Sequence, residues 1–134
     1  MEATDETDLR LLQTARDANE RNAAALRLAD RKIPQAKALL LDLIKRTDLR
    51  DQRGTLVHCL GYFDCSDQFR LMVELVISGN FEVAHEALEI LELIEGMDGD
   101  EAAAALEAVE EAIEDQAIEG WRGELLSDLL EMFD

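Results

Sequence analysis

One proline, Pro34, occurs in 134 residues. Proline removes a backbone donor and breaks helix interiors, so its scarcity leaves long helical runs uninterrupted. Aromatic residues are only 4 % of the chain and β-branched residues are sparse in most segments, whereas Ala, Leu and Glu, all strong helix formers, are plentiful. The two cysteines, Cys59 and Cys65, are too few and too close to build a disulfide framework. No apolar run approaches the roughly 18–20 residues of a membrane span. The opening segment, MEATDETDLR, is acidic and lacks the basic and apolar regions of a signal peptide. These absences lead us to expect a cytoplasmic protein with reduced thiols.

Positive charge is missing from half of the chain. Residues 1–67 hold 12 acids and 11 Lys/Arg, whereas residues 68–134 hold 19 acids against Arg70 and Arg122 alone. Such a half attracts basic partners and repels nucleic acid and anionic membranes, unless its acidity serves solvation only. With 48 % hydrophobic residues, the chain is apolar enough to fold, and its length suits one domain spanning 1–134.

An internal repeat organises the sequence. Segments 21–29 (RNAAALRLA), 52–60 (QRGTLVHCL) and 83–91 (VAHEALEIL) align at successive offsets of 31 residues. In that register four apolar rows recur: Ala25/Leu56/Ala87, Leu26/Val57/Leu88, Leu28/Cys59/Ile90 and Ala29/Leu60/Leu91. They repeat one helical face, and a period near 30 residues points to a helical solenoid. Each segment follows another amphipathic stretch: 9–15, then Ala36, Leu39, Leu40, Leu43 and Ile44, then Phe69, Met72, Val73, Val76 and Ile77.

Pro34 suits the first turn of its helix, Asp64 or Ser66 is placed to cap the next one, and Gly79-Asn80 supplies the turn after it. A divergent fourth pair follows. Leu106, Val109, Ala112 and Ile113 mark one helix; Trp121, Leu125, Leu129 and Phe133 mark another, with Gly120 and Gly123 pointing to a late start. We therefore expect an all-α protein, an α-solenoid of about four antiparallel helix pairs, its last pair atypical as a cap.

The alternation of helices, strongest over residues 19–95, resembles HEAT repeats. Val83, Ala87, Leu88 and Leu91 fall where such repeats pack; the glycine usual near the helix end is present once, as Gly61. The segments RGTLVHCLGYFDC (53–65) and FEVAHEALEILELI (81–94) are similar to stretches of small bacterial HEAT-like proteins, some of which are immunity proteins against secreted or contact-delivered toxins. The resemblance implies a binding role, without catalytic residues or cofactors. Two other readings stay open: a bacterial scaffold or adaptor, and a chromophore lyase, since some such enzymes contain HEAT-like repeats. A pigment cleft needs aromatic and basic groups, and this sequence has few.

No constellation argues for chemistry. His58 and Cys59 are adjacent on one helix, so their side chains diverge by about 100°, and Cys59 lies on an apolar row, where a thiol acts as a small hydrophobe. His58, Cys59, Cys65 and His85 lack zinc-ligand spacing. Glu82-x-x-His85 is a single half of a di-iron motif that needs two. Asp98-Gly99-Asp100 lacks the remaining spacing of a calcium loop and reads as a helix cap. Glu107, Glu110, Glu111, Glu114 and Asp115 read as a solvated helix face.

The expected recognition surface is acidic. Projected at about 100° per residue, Glu82, His85, Glu86, Glu89 and Glu92 share one arc of their helix, opposite its apolar side. The repeat register adds Asp51, aligned with Glu82 and Glu20, and His58, aligned with Glu89. We expect Asp51, His58, Glu82, His85, Glu86, Glu89 and Glu92 to meet a protein partner with a basic surface, such as a toxin domain, with no nucleic acid, membrane, metal or cofactor involved.

Overall fold

The computed structural model describes residues 3–115 and 117–133; Met1 and Glu2 of the acidic opening lie outside the described residues. Within them the chain is helical throughout, with no strand. Among the described residues no helix is long and apolar enough to cross a membrane. The helices form two compact units, Met1–Asp64 and Cys65–Asp134.

The first unit contains α1 (Ala3–Thr14), α2 (Ala18–Asp30), α3 (Gln35–Ile44), a 3-10 segment (Thr47–Gln52) and α4 (Gly54–Leu60). Helix α1 packs on α2 and α3 on α4, while α2 also packs on α4 and α1 on α3. The core between them is apolar and closed: Leu12, Leu28, Leu40, Ile44, Leu56 and Leu60 are fully buried. Ala24, Ala25 and Ala29 are equally inaccessible; small side chains there let the facing helices approach closely.

Local chemistry sets the ends of these helices. Asp17 caps α2 by accepting from the Glu20 N–H. At the other end Lys32 takes a left-handed φ of 52°. Its N–H bonds the Ala29 carbonyl and the Ile33 N–H bonds that of Leu28. This is a Schellman closure with lysine where glycine is usual. Pro34 follows with helical dihedrals at the N-cap of α3, one residue before the first turn expected for it.

The second unit contains α5 (Phe69–Ser78), α6 (Phe81–Leu93), α7 (Gly99–Glu114) and α8 (Gly120–Glu131). Helix α5 packs on α6, α7 and α8; α8 packs on α6 and α7. Gly79 and Asn80 make the α5–α6 turn, and Asn80 caps α6 by accepting from the Val83 N–H at 2.9 Å. Gly79 is required by proximity, since a Cβ there would lie 2.6 Å from both the Leu75 carbonyl oxygen and Val83 Cγ1. Asp98 caps α7 through the Asp100 N–H. Helix α8 starts at Gly120, so Gly123 lies inside it.

Three of the four repeat rows are buried throughout. The row Leu26/Val57/Leu88 is not: Val57 and Leu88 are buried, but Leu26 is 43 % exposed. On α2 the buried positions are Arg21, Ala24, Ala25, Leu28 and Ala29, an arc too narrow to include position 26. The cap of α5 also differs from expectation. The residue preceding the helix is Gln68, not Asp64 or Ser66.

Arginines finish three helices. The last carbonyls of a helix lack intrahelical donors and carry the negative end of its dipole, so a guanidinium suits them. Arg21 donates to the Ala15 carbonyl just beyond α1, and Arg53 to the Ile44 carbonyl at the end of α3. In the second unit Arg122 does the same for α5. Its Nη1 donates to the Val76 carbonyl at 2.9 Å and its Nη2 to that of Gly79 at 2.8 Å.

Candidate functional site

The structural boundary divides the charge more sharply than the sequence halves do. Met1–Asp64 holds 11 acids and 11 Lys/Arg, whereas Cys65–Asp134 holds 20 acids and two arginines. The formal net charge of −18 therefore belongs entirely to the second unit. Helix α7 presents part of it, with Glu107, Glu110, Glu111 and Glu114 all exposed. The first unit instead consumes acids internally. Asp5 and Asp8 are buried on α1 and face α2. Asp8 accepts from Arg27 and Arg31, and Asp5 from Arg31 at 2.7 Å. Hydrogen bonds from Arg27, with Arg31 adding to them, hold the Asp8 carboxyl below its ordinary value against the opposing effect of burial.

Helix α6 keeps its two faces apart. Val83, Ala84, Ala87, Leu88, Ile90 and Leu91 are buried, whereas Glu82, Glu89 and Glu92 are exposed. His85 and Glu86, on the same arc, are half-buried. In the first unit Asp51 is exposed on the 3-10 segment, and His58 is exposed on α4 with its ring edge-on to Tyr62 at 5.7 Å. Glu20, which shares the repeat row of Asp51 and Glu82, is exposed as well.

Two exposed apolar residues accompany the acidic arc of α6. Leu93 is 73 % exposed at its end and Phe81 is 56 % exposed at its start. Phe81 belongs to a ring cluster. Its centroid lies 4.0 Å from His85 and 5.2 Å from Trp121 of α8, the latter edge-on. The His85 and Trp121 rings are 6.0 Å apart and tilted by 30°. His85 Nδ1 lies 2.7 Å from the Phe81 carbonyl oxygen, and since a carbonyl only accepts, Nδ1 carries the proton of that bond. Arg122 closes the group, its guanidinium carbon 4.5 Å above the Trp121 ring.

Arg122 also grips the Glu119 carboxylate, Nε to Oε1 at 3.1 Å and Nη2 to Oε2 at 3.0 Å. These bonds hold the Glu119 carboxyl below its ordinary value. Neither the ring cluster nor Arg122 stood out in the sequence. The available signal was Phe81 beside the acidic arc in the helical projection, together with the pair Trp121-Arg122 in a segment otherwise short of cations.

Neither a family model, nor a curated protein, nor a solved structure matches this chain. Among the described residues no group of three or more His, Cys, Asp or Glu side chains is placed to hold a metal ion. Cys59 and Cys65 are both buried, away from any substrate in solution. A cavity of about 200 Å³ between α5 and α7 is walled by Val73, Ile77, Ala104 and Ala105, with Arg70 and Glu101 beside them. Its lining holds no serine, cysteine or histidine. The surface of the second unit carries carboxylates, two exposed apolar side chains and a ring cluster.

Proposed function

We propose that this chain is a non-catalytic, HEAT-like binding module whose α6 face captures a basic protein partner. Following the resemblance of its repeats, we infer that the partner is a bacterial toxin domain and that the chain is its cytoplasmic immunity protein. The observation carrying this reading is the segregation of charge: one unit is neutral and the other bears the whole surplus. Solubility needs far less than 18 uncompensated charges on one small unit, and their mutual repulsion opposes its compactness. A surface that captures a basic cleft gives that surplus a use, because complementary charge speeds encounter and rejects wrong partners. Occlusion would be steric, with Glu82, Glu86 and Glu89 steering the approach. Within each unit first helices pack on first and second on second, an order that supports the α-solenoid reading.

Charge reversal tests the proposal. The pair Glu82→Lys and Glu89→Lys should slow association with the partner purified from the native cell by about tenfold or more at low salt. The slowing should fade as salt rises, because screening acts beyond a Debye length of about 8–10 Å. The control pair Glu107→Lys and Glu111→Lys on α7 should do much less. Equal association rates for both pairs at low and high salt would refute capture through α6.

A further inference from the structure

We propose that Phe81, with His85 and Trp121 behind it, is the anchor at which the basic partner seats an arginine side chain. The inference rests on the binding role assigned to α6 and adds a chemical identity for what binds there. A 56 % exposed phenylalanine leaves an open ring face on a surface that also carries Leu93 and the carboxylates of α6. Aromatic residues flanked by polar groups are characteristic anchors of protein interfaces. The rings behind it hold Phe81 in place, at 4.0 Å for His85 and 5.2 Å for Trp121. Less freedom is then lost on binding.

Arginine fits this arrangement better than lysine does. A guanidinium is planar and weakly hydrated, stacks on aromatic faces and donates to carboxylates in a fork; an ammonium is a compact, strongly hydrated charge. The cluster already accommodates one guanidinium, that of Arg122, over Trp121 at 4.5 Å. Phe81 is the ring left open. Glu82 and Glu89 are exposed on the same helix, and carboxylates are the groups to which a guanidinium donates in a fork. Charge decides among occupants. The unit of net charge −18 repels acidic partners and second copies of itself.

Fluorescein-labelled nona-arginine and nona-lysine peptides, titrated against the full chain, test the proposal by anisotropy. The sole tryptophan, Trp121, provides an independent emission signal at the cluster. The arginine peptide should bind about two- to fivefold more tightly than the lysine peptide and alter Trp121 emission saturably. Phe81→Ala and the apolar but ring-less Phe81→Leu should abolish that preference, while lysine-peptide binding persists and the helical circular dichroism spectrum of the folded chain is retained. Absence of an arginine preference in the native chain, or its survival in both variants, would overturn the anchor while leaving charge-driven capture standing. If Glu82→Gln with Glu89→Gln leaves both affinities intact, the acidic-face reading fails and takes the anchor with it. A concentration-dependent dimer abolished by Phe81→Ala would assign the rings to a second copy and overturn the proposal.

Discussion

Replacing Arg122 with methionine removes a charge but keeps a long, flexible apolar chain in its place. Two carbonyl oxygens, those of Val76 and Gly79, lose their guanidinium donor in a buried setting. An unsatisfied buried polar group costs about 1–3 kcal/mol. The ion pair to Glu119 adds little, since that carboxylate is 49 % exposed. Loss of the contact over Trp121 adds about 0.5–1 kcal/mol. Against these stands relief from burying a guanidinium, which offsets part of the loss. The net expectation is a destabilisation of about 2–5 kcal/mol. A unit of about 70 residues has a total stability of about 4–10 kcal/mol, so the variant should bring the second unit close to unfolding.

Urea titration followed by Trp121 emission reads that unit alone, because the chain has one tryptophan and it lies beside Arg122. With a slope near 1 kcal/mol per molar urea, the midpoint should fall by about 2–5 M. Arg122→Lys should show a smaller loss, because one ammonium cannot bridge two carbonyls and a carboxylate with the geometry of a fork. Arg46→Met provides the control, since Arg46 pairs with Asp48 at the surface of the first unit. A midpoint shift for Arg122→Met no larger than that of the control would refute the pinning of α8 to the end of α5.

On α6, Leu88→Ala and Leu91→Ala should each cost about 2–5 kcal/mol, as both side chains are buried. Glu89→Ala should stay within about 0.5 kcal/mol; equal costs at positions 88 and 89 in denaturant melts would mean that the core face is misassigned. Asp8→Asn should cost about 1–3 kcal/mol at neutral pH, where Asp8 accepts charge-assisted hydrogen bonds from Arg27 and Arg31. Because the folded-state pKa of Asp8 is lowered, this contribution is complete above the unfolded value, near 3.9, and vanishes as pH falls through the folded one. Thermal melts of native chain and variant should therefore converge in acid; a gap that widens below about pH 4 would contradict the sign.

Much of this protein is decided locally, and that part was legible in the sequence. Apolar spacing depends on residue order alone, so the helical class, the three repeat segments and the split of α6 into a buried and an acidic face all followed from it. Turn chemistry is equally local, which is why Gly79-Asn80 could be read as a turn and Asp98-Gly99-Asp100 as a helix cap. Tertiary packing decided the rest. Leu26 has the sequence signature of a core residue, but its exposure depends on how wide an arc of α2 its neighbours cover. Asp5 and Asp8 read as part of an acidic opening, and only the packing of α1 on α2 turns them into buried partners of arginines. Arg122 reaches carbonyls more than 40 residues away in the chain. Trp121 meets Phe81 because α8 packs on α6. No periodicity encodes such pairings, because which helix ends meet is set by how buried faces pack in three dimensions, not by the order of residues along either helix.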